Sequence, residues 1–336
     1  MNAMHAYTDP REVYDLLLDY CGATATATQL TLGRVWTLCE AGLVQGMSMS
    51  PDEITRTLPW PGTLAGRPLR ELAAWVKEWD PQHAAVGMAA CNAALGLRAS
   101  LPHSELLEPL ANGDNNLRVF DHFLPQLAGR RVVVVGRYPG LDRWSERHGV
   151  DLTVLERRPG AGDLPDPAAE WVLPDAEWVF LTASSIPNKT FPRLMSLSRH
   201  ATVVLMGPTL PWLAEFHHFG VDYLAGIEVV DPSALRQVVA EGGGVRLFDQ
   251  AVRYRVARLD GTATWEWLRR HISQVAAEKD RLNRAMEQWY AHHPINQRFP
   301  QLAQRESVGL KLSRLDTCAH ALWPRLPPEQ RKAADG

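Results

Sequence analysis

The spacing of apolar and polar positions changes character along the chain. Residues 9–20 predict a helix, with Asp9 as its cap and Pro10 at the first helical position. Residues 23–32 and 34–40, rich in Thr, Val and Trp and parted by Gly33, predict an antiparallel pair joined by a third strand near 43–49. Helical spacing returns over 68–76 and again over 82–97, where Pro81 opens the second helix and Asp80 caps it. That helix is full of alanine and glycine, so another element can pack backbone-close against it. Its polar exception, Asn92, shares the face of Ala89 and Leu95 and needs partners, from a loop or from a ligand.

Beyond a proline-rich and polar run at 98–117 the period changes again. Val132-Val133-Val134-Val135, bounded by arginines and glycine, predicts a strand buried on both faces. Further strands are expected at 151–156, 177–183, 201–206 and 223–229, with helical segments at 141–147 and 191–199. Strands alternating with helices imply a parallel, Rossmann-like α/β sheet, whose ligands sit outside the carboxyl ends of the strands. Four loops would share that rim: Gly136-Arg137-Tyr138-Pro139-Gly140; Glu156; Ser184-Ser185-Ile186-Pro187-Asn188-Lys189-Thr190; and Gly207-Pro208-Thr209. The candidate ligand-binding residues are therefore Gly136, Tyr138, Glu156, Ser184, Asn188, Lys189, Thr190, Gly207, Pro208 and Thr209. Asn92 faces them from the amino-terminal domain.

From residue 264, Thr264, Leu268, Ile272, Val275, Lys279, Leu282, Met286 and Trp289 alternate at four and three, which predicts one long helix stopped before Pro294. A second helix is expected over 303–322, with Leu310, Leu315, Ala319 and Leu322 on or near one face. This helical extension reads as a hairpin packed on the body, or as an arm for homodimerisation or a lid. The expected domains are 1–117, 118–258 and 259–336.

Composition narrows the function classes. With 336 residues and 46% hydrophobic positions the chain can bury a substantial core. A formal charge of −3 implies no broad basic field, so nucleic acid is not an expected partner. No apolar run reaches the roughly 20 residues that span a bilayer, so no membrane is expected either, and the compartment reads as cytoplasmic. Four cysteines at 21, 39, 91 and 318 form no C-x-x-C pair and read as reduced.

Candidate chemistry is sparse. The glycine turn at 136–140 has the spacing G-x-x-x-G rather than G-x-G-x-x-G, which argues against tight dinucleotide binding, although Glu156 falls near the place of a ribose-holding acid. Glu215 with His218, the pairs His217-His218 and His292-His293, and Cys318 with His320 are the metal-ligand candidates, and none completes a known set. No nucleophile elbow or P-loop is present.

Three runs carry a resemblance: Ala183-Ser184-Ser185-Ile186-Pro187-Asn188-Lys189-Thr190, Leu205-Met206-Gly207-Pro208-Thr209-Leu210-Pro211 and Phe219-Gly220-Val221-Asp222-Tyr223-Leu224-Ala225-Gly226. They resemble the successive motifs of a prokaryotic family described as putative heavy-metal chelation proteins. Leu64-Ala65-Gly66-Arg67-Pro68-Leu69-Arg70-Glu71-Leu72-Ala73 and Ala85-Val86-Gly87-Met88-Ala89-Ala90-Cys91-Asn92-Ala93 are similar to its amino-terminal segments. The similarity covers roughly residues 10–258. It implies an enolase-N-terminal-like α+β domain followed by a Rossmann-like domain, with a metal or metal chelate held between them. Lys189 departs from the family run, where glycine is expected in a segment resembling Asn-Gly-Thr; its ammonium would serve an anionic ligand or stand exposed. Three functional readings follow: a protein binding, with or without modifying, a small polar metabolite or metal chelate; a nucleotide- or S-adenosylmethionine-dependent enzyme; and a scaffold recruiting a partner through its last helices.

Overall fold

The computed structural model describes residues 10–22, 25–52, 57–96, 104–110, 114–259, 261–294 and 296–326, together with 328 and 331. The chain forms two compact units, one of residues 1–213 with 219–258 and the other of 214–218 with 259–336.

The first unit opens with α1 (Glu12–Asp19); Asp9, the expected cap, lies outside the described residues. A meander of β1 (Gln29–Leu32), β2 (Trp36–Ala41) and β3 (Val44–Met49) follows, antiparallel throughout. Next come α2 (Leu69–Ala74) and α3 (Pro81–Gly96). Asp80 Oδ1 accepts the His83 N–H at 2.8 Å, the capping bond expected of it. The run of small residues in α3 has its use at Gly46 on β3. A Cβ there would lie 2.1 Å from Ala93 N and 2.2 Å from Ala89 O, so strand and helix touch backbone to backbone.

The larger sheet holds, among the described residues, β4 (Ser104–Leu106), β5 (Val132–Val135), β6 (Leu152–Glu156), β7 (Leu164–Pro165), β8 (Trp178–Thr182), β9 (Thr202–Met206), β10 (Tyr223–Val229) and β11 (Val252–Arg258). Their spatial order is β4-β11-β10-β9-β8-β5-β6-β7. From β7 to β10 all pairs are parallel, and β11 and β4 extend the sheet antiparallel. Helices α4 (Arg118–Leu127), α5 (Leu141–His148), α6 (Ala169–Val172), α7 (Phe191–Leu197), α8 (Pro232–Ala240) and α9 (Leu247–Gln250) lie between or beside the strands in sequence. All four valines of β5 are buried, as a central parallel strand requires. The fold is a Rossmann-like α/β sheet preceded by the small α+β segment. Chain order reverses between β5 and β8, because β6 and β7 run outward on one side before β8 returns to pair on the other.

The second unit is chiefly a hairpin of α10 (Gly261–His292) and α11 (Leu302–Leu322). Its core is Leu268, Val275 and Leu282 against Val308, Leu315, Leu322 and Leu326. Every seventh residue is buried on each helix. Leu310, expected on the apolar face, is 74% exposed because it lies two residues past the Val308 position of that seam. The side chain of Thr264 lies outside the described residues. No described helix is long and apolar enough to cross a membrane.

Candidate functional site

The carboxyl ends of β5, β8 and β9 meet where strand order reverses, the position at which open parallel sheets bind ligands. Two glycines make the close approach there. Gly136 follows β5 with φ 94°, and a Cβ on it would stand 3.0 Å from Thr182 Cγ2 at the end of β8. Gly207 follows β9 with φ 108°, and a Cβ there would stand 3.7 Å from the Tyr138 hydroxyl. Tyr138 thus reaches from the β5 turn towards the ends of β8 and β9, with its ring packed edge-on against Phe120.

The Tyr138 hydroxyl is buried and lacks a partner in hydrogen-bonding geometry. Burial pushes its pKa up, and the nearby Thr182 hydroxyl opposes this in part. The Thr182 and Ser184 hydroxyls bond each other at 2.9 Å. Ser185 Oγ and Asn92 Oδ1 are also buried without partners. Leaving such an atom unsatisfied costs about 1–3 kcal/mol, so three in one sheet-end region call for an explanation.

Asn92 bonds the loop after β9. Its Nδ2 donates to Met47 O at 2.8 Å and to Thr209 O at 2.9 Å, while the Thr209 hydroxyl accepts the Met49 N–H at 2.9 Å. Asn92 and Thr209 therefore tie the small sheet to the loop after β9.

The loop after β8 is wound on itself and docked on α1. Ser184 O accepts the Asn188 N–H, Ser185 O the Thr190 N–H, and Ile186 O both the Lys189 N–H and the Tyr14 hydroxyl at 2.9 Å. Asn188, a candidate ligand-binding residue, is exposed: the turn engages its backbone and leaves its side chain to solvent. Lys189 is the one non-glycine residue with positive φ (66°) among those described, at the position where glycine is expected. Its Nζ donates to Pro187 O at 2.9 Å and lies 5.4 Å from the centre of the Tyr14 ring.

Glu156 is not directed at the crevice. It accepts the Arg137 N–H at 2.8 Å and the Arg158 N–H at 3.2 Å, which fixes the turns after β5 and β6. The Arg137 guanidinium pairs with Asp142, in the first turn of α5, and with Asp163. Among residues the sequence does not single out, Thr182 and Tyr14 belong to this region. Thr182 carries a signal, being the polar end of an otherwise apolar strand.

The metal-ligand candidates do not assemble. Among the described residues no group of three or more His, Cys, Asp or Glu side chains could hold a metal ion. His292 and His293 bond the carbonyls four residues before them, Gln288 and Trp289, and His320 bonds that of Asp316. The Cys318 side chain lies outside the described residues. Cys21, Cys39 and Cys91 are buried free thiols. The Cys91 thiol is held well above its ordinary value by a hydrogen bond with Cys21 and by burial, and burial pushes Cys39 up to about 12. Glu215, buried in the segment before β10, is pushed up to about 8 by burial.

Residues 118–258 match the sequence profile of a family described as "Putative heavy-metal chelation", and residues 14–95 match a second profile of the same description. No curated protein matches the chain. Two crystal structures of proteins with unknown function from the DUF364 family are similar. One, from Desulfitobacterium hafniense DCB-2, is 27% identical over 76% of this chain and 100% of its own, with a TM-score of 0.62. The other, from Pyrococcus horikoshii, is 17% identical over 74% of this chain and 99% of its own, with a TM-score of 0.58, and speaks for the fold alone.

Proposed function

We propose, for a chain that belongs over residues 14–95 and 118–258 to the family described as putative heavy-metal chelation, that the crevice at the ends of β5, β8 and β9 binds a small polar molecule or a metal chelate. The observation that carries this reading is the buried Tyr138 hydroxyl, which meets the neighbouring Thr182 hydroxyl only outside good hydrogen-bonding geometry, set between Thr182 and Gly207 at the switch point of the sheet. A ligand oxygen or nitrogen would satisfy it.

The donors available at the rim are hydroxyls, backbone groups and the Lys189 ammonium. They suit the organic part of a chelate better than a bare heavy-metal ion, for which soft sulfur or imidazole donors are the fitting ligands. In this reading the metal arrives as cargo of its chelator. The nucleotide alternative is disfavoured at the acid expected to hold a ribose: Glu156 is already engaged by two backbone N–H groups.

The test is Tyr138→Phe in protein stripped of ligand by unfolding and refolding. Removing an unsatisfied buried hydroxyl should raise the unfolding free energy by about 1 kcal/mol. A loss of similar size would mean that the hydroxyl is a structural tie, and the reading would fail.

A further inference from the structure

We propose that Lys189 is the anion-recognising group of the rim, and that the ligand of the crevice carries a carboxylate which this ammonium binds. The inference rests on the crevice reading and adds to it a ligand class and the residue that selects it.

Three observations bear on it independently. The backbone of Lys189 is left-handed, a conformation that L side chains other than Asn and Asp seldom adopt and that glycine takes without penalty. A lysine held there against its preference has a side chain with a task, or a local tie that compensates. Its local ties are thin: Pro187 O, two residues back in the same turn, and the face of Tyr14. Finally, the ammonium is half-buried, yet no described carboxylate comes within the 4.0 Å of an ion pair. Glu78 acts on it only at longer range.

An ammonium has three N–H donors, and Pro187 O uses one. The remaining two suit a single carboxylate. No arginine hydrogen bond accompanies Lys189 in this turn, so the forked donor set that gathers a phosphate dianion is lacking among the described contacts. Burial brings the Lys189 pKa down to about 8, which leaves the group charged at neutral pH and strengthens its demand for an anion.

The experiment compares wild type, Lys189→Gly, Lys189→Arg and Tyr138→Phe in citrate titrations followed by thermal melting, with sodium chloride holding ionic strength constant and inorganic phosphate as comparator. Citrate should raise the wild-type Tm saturably and phosphate should do so only weakly. Lys189→Gly should lose at least tenfold in citrate affinity while its Tm without citrate is higher than wild type, because glycine accepts φ 66° freely. Lys189→Arg should keep part of the affinity. A lower Tm for Lys189→Gly, an undiminished citrate response in that variant, an unresponsive wild type, or phosphate binding as tightly as citrate would each overturn the inference. Loss of citrate affinity in Lys189→Gly but not in Tyr138→Phe would sink the crevice reading and leave the carboxylate subsite. The reverse pattern would sink only the subsite.

Discussion

The side-chain amide of Asn92 donates to the backbone carbonyl of Thr209 across 2.9 Å, and so joins α3 to the loop that ends β9. The same nitrogen donates to Met47 O on β3 at 2.8 Å. One side chain thereby fixes the spacing between the small sheet and the rim of the large one. Its oxygen is left without a partner.

Asn92→Ala should lower stability by about 1–3 kcal/mol, because two carbonyls lose their donor. Urea denaturation checks this, and a change below about 0.5 kcal/mol would mean that the two bonds contribute little to holding the sheets in register.

Glycine positions offer a paired comparison. Gly46→Ala should destabilise strongly, since the new Cβ would meet the α3 backbone at 2.1 and 2.2 Å, and only a shift of the whole helix relieves that. Gly309 stands in α11 with nothing within 4 Å of an added methyl, so Gly309→Ala should stabilise the hairpin by up to about 1 kcal/mol. Thermal melts of the two variants should move in opposite directions. Equal shifts would contradict the close packing of β3 on α3.

Much of the fold is legible from the chain. The valine run of β5 bounded by arginines and glycine, the Thr-, Val- and Trp-rich segments parted by Gly33, and the four-three stripe of α10 each mark their element in the chain. β11 and β4 leave no such mark, because an antiparallel extension depends on pairing between distant segments, Arg255 with Leu106, for which spacing gives no sign. The distance of Asn92 from Ala89 places it on the right face, yet its partner Thr209 stands 117 residues away, and the sequence joins the two only as members of one rim. Asn188 reads as a rim residue, and its side chain is exposed. A turn can satisfy its backbone internally and turn the amide out, and composition does not distinguish the two. Leu310 departs from expectation for a similar reason: an apolar residue near a stripe need not be on the seam.

The Lys189 ammonium gives a pH dependence with a definite sign. Its pKa falls from 10.5 to about 8 in the folded protein, mainly through burial, with Glu78 pulling the other way. Between those values the unfolded chain holds the proton and the folded one does not, so the group's contribution to stability rises with pH across that window. Below about pH 8 both states are charged and the burial penalty stands in full. The unfolding free energy of wild type relative to Lys189→Met should therefore shift in favour of wild type between pH 8 and 10.5. A flat difference would mean that the ammonium is solvated, and a reversed one that a negative partner stabilises it.

The most direct test of the crevice is native mass spectrometry of the purified protein beside Tyr138→Phe, with elemental analysis of the same samples for metal. The account predicts that wild type carries the mass of a small polar molecule, with any metal stoichiometric to that molecule, and that Tyr138→Phe carries markedly less of it. Wild type without any bound molecule, the same occupancy in both proteins, or a metal bound without an organic partner would contradict it.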